Sequence, residues 1–156
     1  HFLVVGDGIE KPSIVKRASK FRLENISFLK MQTEEDYPYV IASFDVGLVT
    51  LNSKVKTPVI PSKIISLMAA ERPIIASLPE GDAADLIRTA NSGIVVRPES
   101  PEDLAESIVM LMGDRDISES FGKNGRRYVV DNLTVERSVI HLENLISVMK
   151  RNVSSK

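Results

Sequence analysis

The chain has 156 residues, the length of one domain, and with 43% hydrophobic and 26% charged residues it can form a packed core under a wetted surface. Lys plus Arg number 20 against 21 for Asp plus Glu, a net charge of -1, which argues against a nucleic-acid partner or a polybasic membrane surface. With no Cys, two His (His1 and His141) at opposite ends and no apolar run near the about 20 residues of a membrane span, a metal-free cytoplasmic domain is expected.

Short apolar runs alternate with amphipathic stretches. Phe2 to Val5 is a strand by its β-branched content, ended by Gly6, Asp7 and Gly8. A helix is predicted from Pro12 to Phe21 with Ile14, Val15 and Ala18 on one face, then a strand over Ile26 to Leu29. Glu34 to Ser43 reads as a helix with Tyr37, Val40 and Ile41 inward. Next come a strand at Val46 to Val49, a helix at Pro61 to Ala70 and a strand at Pro73 to Ala76. Asp82 to Ala90 is a predicted helix and Ile94 to Val96 the last strand. Strands apolar throughout, each followed by a helix, predict an α/β doubly wound, Rossmann-like domain with a parallel sheet.

The remainder is predicted to be helical. Ser100 supplies a capping hydroxyl, Pro101 the first helical position, and Glu102 and Asp103 the acids that suit the dipole, with Leu104, Ile108, Leu111 and Met112 as the buried stripe. Val135, Val139, Leu142, Ile146 and Met149 recur at spacings of four and three, a sustained amphipathic helix. A single domain over 1–151 with a frayed tail at 152–156 is expected. The chain opens inside a strand without an initiator Met, which predicts a piece of something longer.

Ligands of open parallel sheets bind beyond the carboxyl ends of the strands. After the first strand, Gly6, Asp7 and Gly8 would let a ligand approach the backbone, or serve only as a tight turn. The turn is no dinucleotide fingerprint, because Lys11 occupies the place of the third Gly. After the third strand, a loop with Asn52, Ser53, Lys54 and Lys56 leads to Pro61. With Pro61 opening a helix, the N–H groups of Ser62, Lys63 and Ile64 would be free at the positive dipole end, a place for phosphate. Lys63 adds a charge, and Ser66 lies one turn on from Ser62. An ordinary helix start with a solvated lysine would use the same residues.

Other polar groups have simpler accounts. Asp45 lies at the amino end of its strand, Glu34, Glu35 and Asp36 suit a helix start, and Arg126 and Arg127 read as a solvated helix face. His141 lies in the last helix, packed or exposed. No Ser-His-Asp set, carboxylate dyad or Walker loop is visible, so any chemistry would be electrostatic positioning.

The ordered set FLVVGDG (Phe2 to Gly8), ISFL (Ile26 to Leu29), ASFDVGLV (Ala42 to Val49) and PSKIISLMAAERPIIAS (Pro61 to Ser77) resembles the carboxyl-terminal, nucleotide-sugar-binding domain of group 1 (family 4) glycosyltransferases. NSGIVVRP (Asn91 to Pro98) and PEDLA (Pro101 to Ala105) extend the resemblance, which covers residues 2 to about 140. The PSK variant is similar to transferases of surface-polysaccharide and lipopolysaccharide assembly. The resemblance implies a GT-B architecture of two Rossmann-like halves, with the nucleotide-sugar donor held by the half seen here. The glycan or lipid-linked acceptor would be held by an amino-terminal half. It further implies that Lys30 and Met31 meet the base through their backbone, that Ser62, Lys63 and Ile64 hold the diphosphate, and that Ser66 bonds the ribose. Gly6, Asp7 and Gly8 would line the same cleft, and no essential metal is expected.

The chain departs from the family pattern in three ways. The paired glutamates of the family would fall at Pro58 and Ser66, and neither is acidic. Lys30 replaces the usual Gly after the second strand. The preceding βα unit, with its Gly-rich loop and basic pair, is absent, and its strand is central in the usual order, so an interrupted sheet is expected. The resulting expectation is the donor-binding half of a retaining glycosyltransferase using a UDP- or GDP-sugar, inactive alone and in the whole enzyme peripheral at the inner membrane face. A nucleotide-sugar 2-epimerase would share the architecture but needs acidic and His groups in the cleft. A non-catalytic flavodoxin-like interaction module is the alternative from another class.

Overall fold

A computed structural model of the chain describes residues 1–55 and 59–154, with side chains described through 150. Lys56 and Pro58, singled out in the sequence, lie outside the described residues, as do 155 and 156. Five strands and seven helices are present among the described residues. They gather into two compact units, His1–Val40 and Ile41–Lys156.

The first unit opens with β1 (Phe2–Val5), followed by α1 (Lys11–Lys20) and β2 (Ile26–Leu29). β1 and β2 pair in parallel, Phe2 opposite Ile26 and Val5 opposite Leu29. Pro12 in the first turn suits α1, where a missing N–H costs nothing, and Arg17 and Lys20 in its last turn favour the negative dipole end. Of the expected face, Ala18 is buried, whereas Ile14 and Val15 remain exposed. α2 (Tyr37–Ala42) begins later than predicted. Thr33 makes a local turn instead, its hydroxyl donating to Asp36 Oδ2 at 2.9 Å and accepting from the Asp36 N–H at 3.1 Å. Tyr37 therefore points to solvent, and Ile41, the buried residue of α2, already belongs to the core of the second unit.

In the second unit, β3 (Gly47–Thr50), β4 (Ile74–Ser77) and β5 (Gly93–Val96) form a parallel sheet in that order. Gly47 stands opposite Ile74, and Ile74 opposite Gly93. α3 (Ser62–Ala69), α4 (Asp82–Thr89), α5 (Pro101–Gly113) and α6 (Arg115–Asn132) lie against this sheet or one another. Every residue of the central strand β4 is buried, and its Ile74, Ala76 and following Leu78 join Ile64, Met68, Ala84 and Ile87 in one core. The parallel α/β class expected from the sequence holds. The strands pair as two sheets, β1 with β2 and β3 with β4 and β5.

The helical end differs in detail. Ser100 is the N-cap of α5, yet its side chain makes no cap hydrogen bond. Leu111 is buried, but Met112 is 78% exposed, because the inward face turns through Ser107 and Leu111 instead. α6 has a true cap, with Asp114 Oδ1 accepting from the Ile117 N–H at 3.0 Å. Gly122 and Gly125 let α6 approach α3 closely; a Cβ on Gly122 would collide with the Glu71 carbonyl. Arg126 is not a purely solvated cation: it donates to the Ala69 carbonyl at the end of α3. α7 (Val135–Ser154) continues through residues assigned to a frayed tail. Its predicted stripe, Val135 to Met149, is amphipathic but exposed, with no cover among the described residues.

Candidate functional site

The predicted site residues fall in both units. In the first, the turn after β1 and the loop after β2 are brought together at the carboxyl ends of the strands. Gly6 adopts φ +125, a conformation that side chains disfavour, and this bends the chain away from β1. Its N–H donates to the Leu29 carbonyl at 3.3 Å. Asp7 Oδ2 accepts a long hydrogen bond of 3.5 Å from the Met31 N–H. The Lys30 carbonyl accepts from the Gln32 side chain at 2.8 Å. Gly8, Lys30 and Met31 are exposed.

Lys11, given no role from the sequence, holds this turn. Its ammonium donates to the Gly6 carbonyl at 2.5 Å, the Leu29 carbonyl at 2.7 Å and Asp7 Oδ1 at 3.1 Å. The Lys11 hydrogen bond, followed by the Met31 N–H, lowers the Asp7 pKa below the usual carboxylate range. The sequence signal was the basic residue four positions after Asp7, at the opening of α1.

In the second unit, the helix start lies one residue later than expected. Pro61 is the N-cap with ψ 129, and Ser62 begins the helix. A Pro cap has no side-chain acceptor, so its own carbonyl takes the Ile64 N–H at 2.9 Å. This corrects the expectation of three free amides. Ser62 and Lys63 keep theirs without a hydrogen bond among the described residues, while the Ile64 side chain is fully buried. Ser62 and Lys63 are exposed and Ser66 is half-buried.

Sequence reasoning missed a depression of about 320 Å³ at the carboxyl ends of β3 and β4, lined by Thr50, Asn52, Ser77, Glu99 and Ser100 among others. Ser53 donates to Glu99 Oε1 at 2.7 Å across its rim, and Glu99 sits at φ +61. The signal available was position, because these residues end strands or lie within four residues of a strand's carboxyl end. Asp45, Arg127 and His141 lie exposed and contribute to neither group. Among the described residues, no helix is long and apolar enough to cross a membrane.

With parallel α/β units and an exposed helix start after β3, the comparison with known proteins decides the family. The profile of the glycosyl transferases group 1 matches residues 1–114. The chain belongs to that family. It is 24% identical over 137 residues to an uncharacterized glycosyltransferase, MJ1069, of Methanocaldococcus jannaschii, covering 88% of this chain and 34% of the relative. It is 24% identical over 141 residues to a poly(ribitol-phosphate) alpha-N-acetylglucosaminyltransferase of Staphylococcus aureus, covering 86% and 26%. The Anabaena protein Alr3699/HepE, solved in complex with UDP-glucose, superposes with a TM-score of 0.75 at 23% identity, over 93% of this chain and 40% of its own. The fold is that of GT-B, Rossmann-like glycosyltransferase domains. The chain spans between a quarter and about a third of the length of the curated relatives it matches, 34% and 26%.

Proposed function

We propose that this chain is the donor-binding part of a retaining, hexosyl-type glycosyltransferase that moves a sugar from a UDP- or GDP-sugar to a polysaccharide or lipid-linked glycan acceptor. The observation that carries this reading is the exposed start of α3, where the Ser62 and Lys63 amides lack hydrogen-bond partners among the described residues and stand beside an ammonium. Two aligned amides and a cation suit the charge of a diphosphate, in the ground state and as it departs with its nucleoside. They supply the positive charge that the leaving group needs, so no essential metal is proposed. Ile64 drops out of the set because its N–H is already taken. Ser66, one turn on, is assigned to a ribose hydroxyl, and the Lys30 and Met31 backbone to the base, with Gly6, Asp7 and Gly8 alongside it. UDP-glucose in the Anabaena relative supports the choice of donor class. Acceptor binding is assigned to a second Rossmann-like half, and the segment alone is proposed to be inactive.

Calorimetry of UDP and GDP on the intact protein tests the assignment. Lys63→Ala removes an exposed cation that would pair with the diphosphate, a contribution of about 0.2–1 kcal/mol, so affinity should fall by up to about fivefold. Unchanged affinity would remove Lys63 from the site.

A further inference from the structure

Lys11 has no task in the function proposed above, yet its side chain makes three hydrogen bonds within the first unit. The side chain is 21% exposed, and its ammonium has three N–H donors, matched by three acceptors: the Gly6 carbonyl, the Leu29 carbonyl and Asp7 Oδ1. It is therefore saturated, with no donor left for a phosphate. Two of these acceptors are backbone carbonyls at the carboxyl ends of β1 and β2, and the third reaches on through its other oxygen to the Met31 N–H. The link thus runs from α1 to both strand ends and to the loop after β2.

Little else holds that loop. The paired strands are four residues each and none of their residues is buried, so packing restrains their ends weakly. Among the described residues, the other hydrogen bonds at Gly6 and Lys30 are the 3.3 Å bond from Gly6 N–H to Leu29 O and the Gln32 side chain on the Lys30 carbonyl, and the loop is next tied at the Thr33–Asp36 turn.

We propose that Lys11 is a positioning residue that sets which nucleobase the donor site accepts, by holding the Gly6–Gly8 turn against the backbone of Lys30 and Met31. This role depends on the donor-binding function proposed above. Backbone donors and acceptors discriminate between base edges only when fixed to within about 0.5 Å. Releasing the clamp spreads their positions and costs discrimination first. Pyrophosphate, assigned to Ser62 and Lys63, should scarcely notice.

The test is calorimetry on the intact protein with UDP, GDP, ADP and inorganic pyrophosphate, for the native protein, Lys11→Met and Lys11→Arg. The native protein should prefer one nucleoside diphosphate by about tenfold or more, a ratio that hydrogen-bond readout readily supplies. Lys11→Met keeps the stem and removes every donor, so the ratio should fall to about threefold or less, with pyrophosphate affinity within about twofold. Lys11→Arg, which restores donors in a different geometry, should recover part of the ratio. Lys11→Met with the native ratio, or with equal losses for pyrophosphate and nucleotides, overturns the positioning role and leaves the donor-binding function standing. A native protein that binds no nucleoside diphosphate more tightly than pyrophosphate overturns that function and the role of Lys11 with it. Should Lys11→Met not fold, Lys11→Gln is judged by the same ratios.

Discussion

β1 and β4 look alike in sequence, Phe2-Leu3-Val4-Val5 against Ile74-Ile75-Ala76-Ser77, but they end in different surroundings. All four residues of β4 are buried, and none of β1 is. β4 lies between β3 and β5, and α5 and α3 pack against it. β1 has one paired neighbour, β2, and in its own unit Ala18 is the buried hydrophobic residue among those described. Apolarity states what a strand requires on its faces; neighbours decide whether it receives it. Two strands and a helix cannot cover both faces of a pair, whereas three strands with four helices can.

The largest effect that probes this contrast is truncation at equivalent places. Ile75 is fully buried, so Ile75→Ala should cost about 2–5 kcal/mol of unfolding free energy. Leu3, 38% exposed on β1, should cost about 1 kcal/mol or less on the same change, since much of its surface is already wet. Urea titrations followed by far-UV circular dichroism compare the two. Equal costs would mean that β1 is buried in solution, and the contrast would fail.

A smaller effect sharpens the description of the second unit. Gly122→Ala places a methyl group on the Glu71 carbonyl, so the contact between α6 and α3 must open. Overpacking of this kind costs about 1–3 kcal/mol. The helix preference for Ala returns about 1 kcal/mol, which leaves a net loss of about 2 kcal/mol or less. A stabilised variant would show that α6 is not held tightly there.

Element order, the parallel class and the family were legible because they rest on local signals: β-branched runs, turn residues and helix starts. The site was legible in part. Pro61 marked the start of α3, but it is the cap rather than the first helical residue, and the Ile64 amide is taken by the Pro61 carbonyl in a tight i to i+3 bond. A one-residue register at a helix end lies below what propensity resolves. Lys11 read as a broken glycine fingerprint; its value lies in two carbonyls, one of them 18 residues away, a non-local contact that no spacing rule reports. Met112 was misjudged for the reason that separates β1 from β4. Periodicity shows that a face is apolar and says nothing of what covers it.

The smallest expected effect concerns acid, and it belongs to the first unit. The folded-state pKa of Asp7 is lowered, chiefly by the Lys11 hydrogen bond and then by the Met31 N–H. The unfolded chain therefore binds its proton at higher pH than the folded one. Stabilisation from this carboxylate is complete above the unfolded value of about 4 and is lost as pH falls through the lowered folded value. Asp7 is exposed, so solvent screens the effect and global unfolding should barely register it. Amide exchange of Gly6 and Met31 is the sensitive measurement, because local opening of β1 and β2 needs little of the second unit. Protection should hold steady from neutral pH to about 5 and fall below about 4 once intrinsic exchange chemistry is divided out. Asp7→Asn should lack that acid limb while the β4 amides respond alike in both proteins. An acid limb that persists in Asp7→Asn would assign the response to another carboxylate and remove the Lys11–Asp7 pair from the forces that hold the end of β1.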